Sequence, residues 1–573
     1  MTTKTGRGAA GFLPILAWLP HYRWGSLRGD ALGAATAWAI VVPESVAYAQ
    51  IAGVPPQNAF YAAPIALLAY AIFGSSRNLV VGATSAAAIL SASTVAAVSA
   101  NSKDAIELSA ALCLVAGVIL IAAGLLRLGF ITNFMSEPAL TGFLFGMALV
   151  IVVRQLGKIV GVSTGDGDFF ARLWHLLAHA GSWSLASIVV GVVAIGALLA
   201  LERYLPRLPA SLVVLVLGIV ISYLFRLDQH GVDVVGKIPS SVPAPHVPDV
   251  SWHQVAQLTG GGFGLALVVF AESYSISSRF ARVHGYEVDP NQEMIAMGAS
   301  NLAVGFVRGF AVSGSASRTA AVEGAGGATQ MVSIVAAVLV LITAAFLTPL
   351  FTYLPEPVLG AIVIVAVRGF LRVGKMREYW RRDKGNFAVA AAALLGVLVL
   401  DLLPGLIIAV VLSLVLFIAY ASSPWIATLG RTGSGDFVET GSRHDLVQEP
   451  GLLIVRPDGG LFFGNVDRVR QAVIALAAAA EPPARVVCLV LSNSYRLGLP
   501  VLETLGVLEE QLRRSSVELW LAGVPSKARP ELDSDQLAKA LGPDRIFSSV
   551  PAAADYFAAR QAAQYHSDSS DPG

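Results

Sequence analysis

The chain has 573 residues, of which 55% are hydrophobic and only 13% charged, with a formal net charge of +1 and a mean hydropathy of +0.68. A soluble protein carries about a quarter charged residues, so the composition excludes an ordinary soluble globular protein, and a balanced charge gives no footprint for nucleic acid. Lipid is the solvent that fits.

In chain order, the stretch GFLPILAWLP (11–20) is too short and too proline-interrupted to cross a bilayer, and it lacks a small-residue cleavage site. It reads as interfacial. Residues 1–29 are therefore taken as a cytoplasmic or interfacial N-terminus, and the first span is expected to begin near Asp30. Polar breaks then divide residues 30–422, the expected membrane domain, into roughly fourteen apolar segments. Those at 107–126, 185–201, 210–225, 262–276, 330–350, 386–402 and 404–421 reach or approach the ~20 residues that a crossing helix needs. Three others, 31–50, 79–98 and 312–328, are broken by Pro, Gly, Ser or Thr.

Lys and Arg concentrate on cytoplasmic loops. The densest basic loop is RGFLRVGKMREYWRRDKGN (368–386); the N-terminal flank (Lys4, Arg7, Arg23, Arg28) and the ERYLPRLP loop (202–209) are basic too. The long connection 226–261 is Pro-rich and sparsely basic. An even number of spans with both termini cytoplasmic satisfies all of these, as in a multi-pass protein of the cell (inner) membrane. Arg154 and Lys158, one turn apart at the end of an apolar run, are expected to snorkel to the interface.

The character changes after residue 422. Residues 423–449 read as a polar linker, 450–563 as a small cytoplasmic α/β domain, and 564–573 as a disordered tail. In the α/β stretch, strand-like runs (GLLIVRPDGGLFF, RVVCLVLSNS, VELWLAGV) alternate with helix-like ones (VDRVRQAVIALAAAA, LPVLETLGVLEEQLRRS, DSDQLAKAL). The two cysteines, Cys113 and Cys488, offer no metal spacing and no disulfide framework, and read as small buried hydrophobes.

Two pairs of segments echo one another. VVPESVAYA (41–49) resembles VVFAESYSIS (268–277), and VVGATSAAAI (80–89) resembles AVSGSASRTAAV (311–322). Glu44 and Glu272 lie almost as far apart in sequence as Ser85 and Ser317, which suggests two related halves. Interrupted segments in corresponding halves are the sequence pointer to a transporter binding site. A half-helix that starts at mid-membrane aims unpaired N–H groups and a positive dipole end at the cavity it lines. Helices beginning near Thr84–Ser85 and Ser315–Ser317, facing each other, would make an anion site, with Arg318 in the first turn adding a full charge.

An ionised Glu44 at a helix centre costs about 2.5–3.5 kcal/mol on insertion scales, so it is expected to be functional or paired, as is Glu272. Pro43 beside Glu44 is expected to bend or interrupt the first span. Arg318 has two readings at this stage, a substrate ligand or a counter-ion of Glu44 or Glu272. GAGG (324–327) is followed by no GK[ST] and is not a phosphate loop. No motif for hydrolysis, a redox cofactor or a metal is present, so the protein is read as a non-enzyme without cofactors.

Residues 41–82 (VVPESVAYAQIAGVPPQNAFYAAPIALLAYAIFGSSRNLVVG) resemble the first signature of the SulP family of anion transporters, and residues 285–330 (GYEVDPNQEMIAMGASNLAVGFVRGFAVSGSASRTAAVEGAGGATQ) its second. The soluble region resembles the family's STAS domain. The resemblance covers nearly the whole chain. It implies a polytopic α-helical protein of fourteen spans in two inverted seven-span repeats, with core and gate domains, a homodimer, and secondary transport of anions such as sulfate, bicarbonate or dicarboxylates. Carried over position by position, it implies an anion site at Tyr48, Thr84, Ser85, Ser315, Ala316, Ser317 and Arg318, flanked by Glu44 and Glu272.

Two departures bear on coupling. Many relatives have Gln at the position of Glu44, and the hydroxyl that sodium-coupled bicarbonate members carry one turn after the acidic residue is Ile276 here. Both favour protons over sodium, because burial favours the neutral form of a carboxylate. The expectation is proton-coupled anion symport. An anion exchanger or uncoupled uniporter, a nucleobase permease, and a membrane sensor signalling through its STAS domain are the alternatives. In the STAS region the segment SNSYRLGLPVLET lacks the Asp-Ser/Thr pair of regulatory relatives, which implies a scaffold or dimerisation role.

Overall fold

The computed structural model describes residues 13–99, 104–130, 136–165, 167–205, 209–239, 243–400, 402–440 and 446–568. The chain forms two compact units, 1–414 and 415–573, each described by itself below.

Among the described residues up to 421, besides short helices at Ile15–Trp18, Phe169–Ala178 and Val373–Arg382, fourteen helical segments make up the two repeats. They are α1 (Leu27–Ile51), α2 (Gln57–Phe73), α3 (Ser85–Val98) led by strand β1 (Val81–Ala83), α4 (Ala105–Leu125), α5 (Glu137–Val160), α6 (Leu185–Tyr204) and α7 (Ala210–Phe225). The second set is α8 (Trp252–Val283), α9 (Pro290–Gly305), α10 (Ala316–Gly324) led by strand β2 (Val312–Gly314), α11 (Met331–Ile342), α12 (Glu356–Val367), α13 (Lys384–Leu400) and α14 (Leu402–Ala421). α11 continues through a π turn and a 3₁₀ stretch to Tyr353. Among the described residues, seven helical stretches are long and apolar enough to cross a membrane by themselves. The half-helices α3 and α10 are not, since each gives its first residues to a strand.

Packing follows an inverted repeat. α1 packs on α10 and α11 as α8 packs on α3 and α4; α2 meets α11 as α9 meets α4; and α6 meets α12 as α13 meets α5. Spans 1–4 and 8–11 thus form a core, and spans 5–7 and 12–14 a gate. Without a hydrophobic driving force between helices in lipid, small residues make the closest contacts. A Cβ at Gly117 of α4 would stand 2.8 Å from the Gly298 carbonyl of α9. In the gate, a Cβ at Gly142 of α5 would stand 1.9 Å from the Ala390 carbonyl of α13. Gly142→Ala must separate those helices, so it is expected to lower the melting temperature of the detergent-solubilised protein by several degrees; an unchanged melting temperature contradicts this contact.

Helix ends follow local chemistry. Ser136, Ser184 and Ser251 cap α5, α6 and α8 through their side-chain oxygens, and Asp289 caps α9 with Pro290 in its first turn. The interruption expected at Pro43 does not occur. α1 runs unbroken through it, because proline's φ is helical and the single hydrogen bond it forfeits, to the Ala39 carbonyl, is tolerated inside a packed bundle. Lys158 also departs from expectation: its ammonium reaches Glu356 at the start of α12, at 2.9 Å, instead of snorkelling outward.

The second unit carries a six-stranded sheet in the order β4 (Phe437–Glu439), β3 (Ile426–Arg431), β5 (Leu452–Pro457), β6 (Val486–Val490), β7 (Glu518–Ala522), β8 (Ile546–Phe547). β5 to β8 are parallel, and β3 lies antiparallel on β5, with Ala427 opposite Arg456. Helices α15 (Val466–Ala478), α16 (Leu499–Arg514) and α17 (Gln536–Leu541) cover one face; α18 (Val550–Asp568) covers the other, over the fully buried Trp520. The three strand-like and three helix-like runs of the sequence all form. β3 and β4, however, lie inside the stretch read as linker, so the sheet begins at Ile426. The expected tail from 564 is helical as far as Asp568, and 569–573 lie outside the described residues. Both cysteines are buried, and burial pushes the Cys488 thiol up to about 12, consistent with an inert packing role.

Candidate functional site

The two half-helices meet head to head. β1 and β2 pair antiparallel, with Gly82 opposite Ser313, so α3 and α10 start beside one another and run in opposite directions. Thr84 caps α3 by accepting the Ala87 N–H at 3.4 Å, and Ser315 caps α10 by accepting the Arg318 N–H at 3.4 Å. The equivalent positions of the two halves are therefore Thr84 and Ser315, one residue off the Ser85–Ser317 match read from sequence. Ser85 is buried, while Ala316 and Ser317 are exposed at the start of α10.

Arg318 is completely buried. Its guanidinium turns back beneath the strand pair: Nη2 donates to the Ala83 carbonyl at 2.5 Å, and Nε lies 3.5 Å from Oε2 of Glu44. A Cβ at position 82 would meet the Arg318 guanidinium at Nη1, so a side chain there would have to displace it. Nε and Nη1 make no hydrogen bond among the described residues. The counter-ion reading of Arg318 toward Glu44 therefore has direct geometry. Tyr48 sits on the same face of α1 one turn after Glu44 and is buried.

Glu272, on α8, is reached from both half-helix leaders. Its Oε2 accepts from the Ser313 hydroxyl at 3.0 Å and lies 3.5 Å from the Thr84 hydroxyl. Ser313 was not read as a site residue. It sits in the extended segment before the helix, where the sequence shows only an apolar approach interrupted by a hydroxyl.

A cavity of about 1120 Å³ opens between α1, α6, α7, α10 and α12. Of the nine predicted residues, Glu44 and Ser317 line it; the other seven do not. Its wall includes Trp38 and Ala39 of α1 and the pair Glu202–Arg368, 2.5 Å apart. At the opposite end of α1, Gln50 donates to Glu356 at 2.7 Å, and Lys158 bonds both Gln50 and Glu356. That cluster ties the core helix α1 to gate helices α5 and α12.

Outside this site, buried acids are spent on structure. Asp30 accepts from the Ala328 and Thr329 N–H groups and the Thr329 hydroxyl. Glu293 accepts from Tyr70 and Ser75.

Comparison with known sequences decides the family. The Sulfate permease family profile matches residues 27–393, and the STAS domain profile matches residues 443–553. The chain belongs to the sulfate permease family. It is an anion transporter of that family, not an enzyme, and carries a C-terminal STAS domain. A probable sulfate transporter of Mycobacterium tuberculosis is 32% identical over 96% of this chain and 99% of that protein. High affinity sulfate transporter 2 of Stylosanthes hamata is 29% identical over 96% of this chain and 87% of its own length. Among solved structures, the murine anion transporter Slc26a9 in its inward-facing state has the same fold, with a TM-score of 0.87 over 97% of this chain and 96% of that one at 24% identity. The transmembrane domain of the cyanobacterial bicarbonate transporter BicA matches with a TM-score of 0.61 at 21% identity, over 68% of this chain and 98% of that one. Fourteen spans in inverted repeats followed by a STAS domain are thus the architecture of this permease.

Proposed function

We propose that this permease is a secondary active transporter that carries an oxyanion, sulfate foremost, together with protons by alternating access. The observation that carries the reading is Glu44. It is a carboxylate on the cavity wall, 3.5 Å from the buried Arg318 and beside two half-helix starts. The exposed first residues of α10, Ala316 and Ser317, and the caps Thr84 and Ser315 supply neutral donors to the anion. Ser85 and Tyr48 complete the polar surround, and Arg318 contributes its charge from behind. With Glu44 and Glu272 ionised, the site already carries one more negative charge than Arg318 cancels, and a dianion would add to it. One proton on each carboxylate offsets the charge of one sulfate.

The names borne by the mycobacterial and plant relatives support sulfate over bicarbonate or a C4-dicarboxylate. The cavity lining includes Glu202 and Arg368, in the basic segments, which supports an inward-open state with both termini cytoplasmic in the cell membrane. The Gln50–Lys158–Glu356 cluster then closes the outer side. A homodimer embedded in membrane lipid, with the STAS domain as its scaffold, completes the reading.

Proteoliposome uptake of labelled sulfate, with and without an inward proton gradient, tests it. Uptake is expected to accelerate severalfold with the gradient and to be competed by excess unlabelled sulfate more strongly than by bicarbonate or succinate. Uptake indifferent to pH would sink the coupling. Stronger competition by succinate would move the assignment to dicarboxylates.

A further inference from the structure

Ser313 lies at the centre of β2, opposite Gly82, and is closed off from solvent. Its hydroxyl stands 3.0 Å from Oε2 of Glu272, 3.2 Å from the Ser273 hydroxyl and 3.4 Å from the Val269 carbonyl. A hydroxyl carries one proton and can accept as well as donate, so these neighbours compete for it. Ser273 Oγ already accepts the Gly314 N–H at 2.9 Å, which fixes that side of the cluster. The ionised carboxylate makes the strongest claim on the Ser313 proton, because a charge-assisted hydrogen bond is about twice as strong as a neutral one. Once Glu272 is protonated the claim reverses. The carboxylic acid then has a proton to donate, and the Ser313 oxygen is in place to accept it while its own proton turns to Val269.

We propose that Ser313 is a positioning residue for proton coupling: its hydroxyl donates to ionised Glu272, then rotates to accept from the protonated acid while donating to the Val269 carbonyl. The proton that arrives stays on Glu272, and no bond at Ser313 is broken. This deepens the proton-coupled reading and rests on it for its consequence in transport. The other groups acting on Glu272 are Arg318 from α10 and the neutral Thr84 from the cap of α3, with Tyr48 of α1 facing it; Glu44 of α1, the second proton-binding carboxylate, pairs with Arg318. The acids on the helices packed against α8 are engaged elsewhere, Glu107 of α4 with His246 and Arg308, and Glu293 of α9 with Tyr70 and Ser75.

Infrared difference spectroscopy of the full-length protein in lipid nanodiscs, titrated with acid, reads the protonated carboxyl band of Glu272, assigned by its loss in Glu272→Gln. Ser313→Ala deprives the ionised form of a donor, so its titration midpoint is expected to rise by about one pH unit. Ser313→Thr, which keeps the hydroxyl, is expected to titrate like wild type. Ser313→Cys, a weak donor of similar size, serves where alanine packs poorly and is expected to move the midpoint in the same direction as alanine. A midpoint that stays put in both the Ala and Cys variants overturns the proposal. Uptake against pH is read in parallel: wild-type uptake that ignores pH removes the coupling, while the infrared midpoint still decides the role of Ser313.

Discussion

Arg318→Ala will abolish anion uptake and strongly destabilise the membrane domain, and most of the lost stability will return when Glu44→Gln is added. The physical ground is the geometry of a buried pair. Arg318 is fully enclosed, Glu44 is nearly so, and Nε to Oε2 is 3.5 Å. Removing one partner leaves the other charge buried and uncompensated, which costs about 3–5 kcal/mol, whereas neutralising both is often close to neutral. The guanidinium also holds the Ala83 carbonyl at 2.5 Å, so its loss loosens the strand pair that sets the two half-helices opposite each other. Uptake should therefore stay absent in the double variant even as its melting temperature recovers. Thermal melts of full-length protein, paired with uptake assays, separate the two effects. A single variant as stable as wild type would show that Glu44 is not held by this cation.

The second large effect is on coupling. With one proton moved on each carboxylate per sulfate, a gradient of one pH unit at clamped zero potential supports about a hundredfold accumulation, since each coupled proton contributes about tenfold. Glu44→Gln or Glu272→Gln alone should lower that limit to about tenfold, and the double variant should only equilibrate sulfate across the membrane. Glutamine keeps the size of the side chain while removing the titrating group, so binding of sulfate at neutral pH should survive, although Glu44→Gln, which leaves the buried Arg318 without its partner, should melt at a lower temperature than wild type. Full accumulation in the double variant would place the coupling groups elsewhere in the chain.

The features legible in the sequence were those whose cost forces them to show. A carboxylate in an apolar run, a pair of segments broken by Gly, Ser and Thr, and strand–helix alternation after the last span each leave a pattern. The half-helices appeared where those patterns put them, with caps at Thr84 and Ser315. Side-chain direction was not legible. Arg318 turns back to Ala83 and Glu44 because the glycine at position 82, contributed by the other half of the chain, leaves room for it. Ser313 escaped notice because its importance comes from Glu272, forty-one residues away in sequence. Lys158 looked like an interfacial side chain until Glu356 of α12 and Gln50 of α1 were placed beside it. β3 was missed because IATLGR, with its Thr and Gly, earns its place in the sheet through pairing with β5 rather than through its own composition.

Coupled transport requires that sulfate and protons cross together. The most direct measurement adds sulfate to the outside of proteoliposomes that hold no gradient of pH or potential, and follows external pH with an impermeant dye while labelled sulfate is counted inside. The medium is expected to turn alkaline as sulfate enters, with about two protons taken up per sulfate, one for each carboxylate. Sulfate entering with no change in external pH would contradict it.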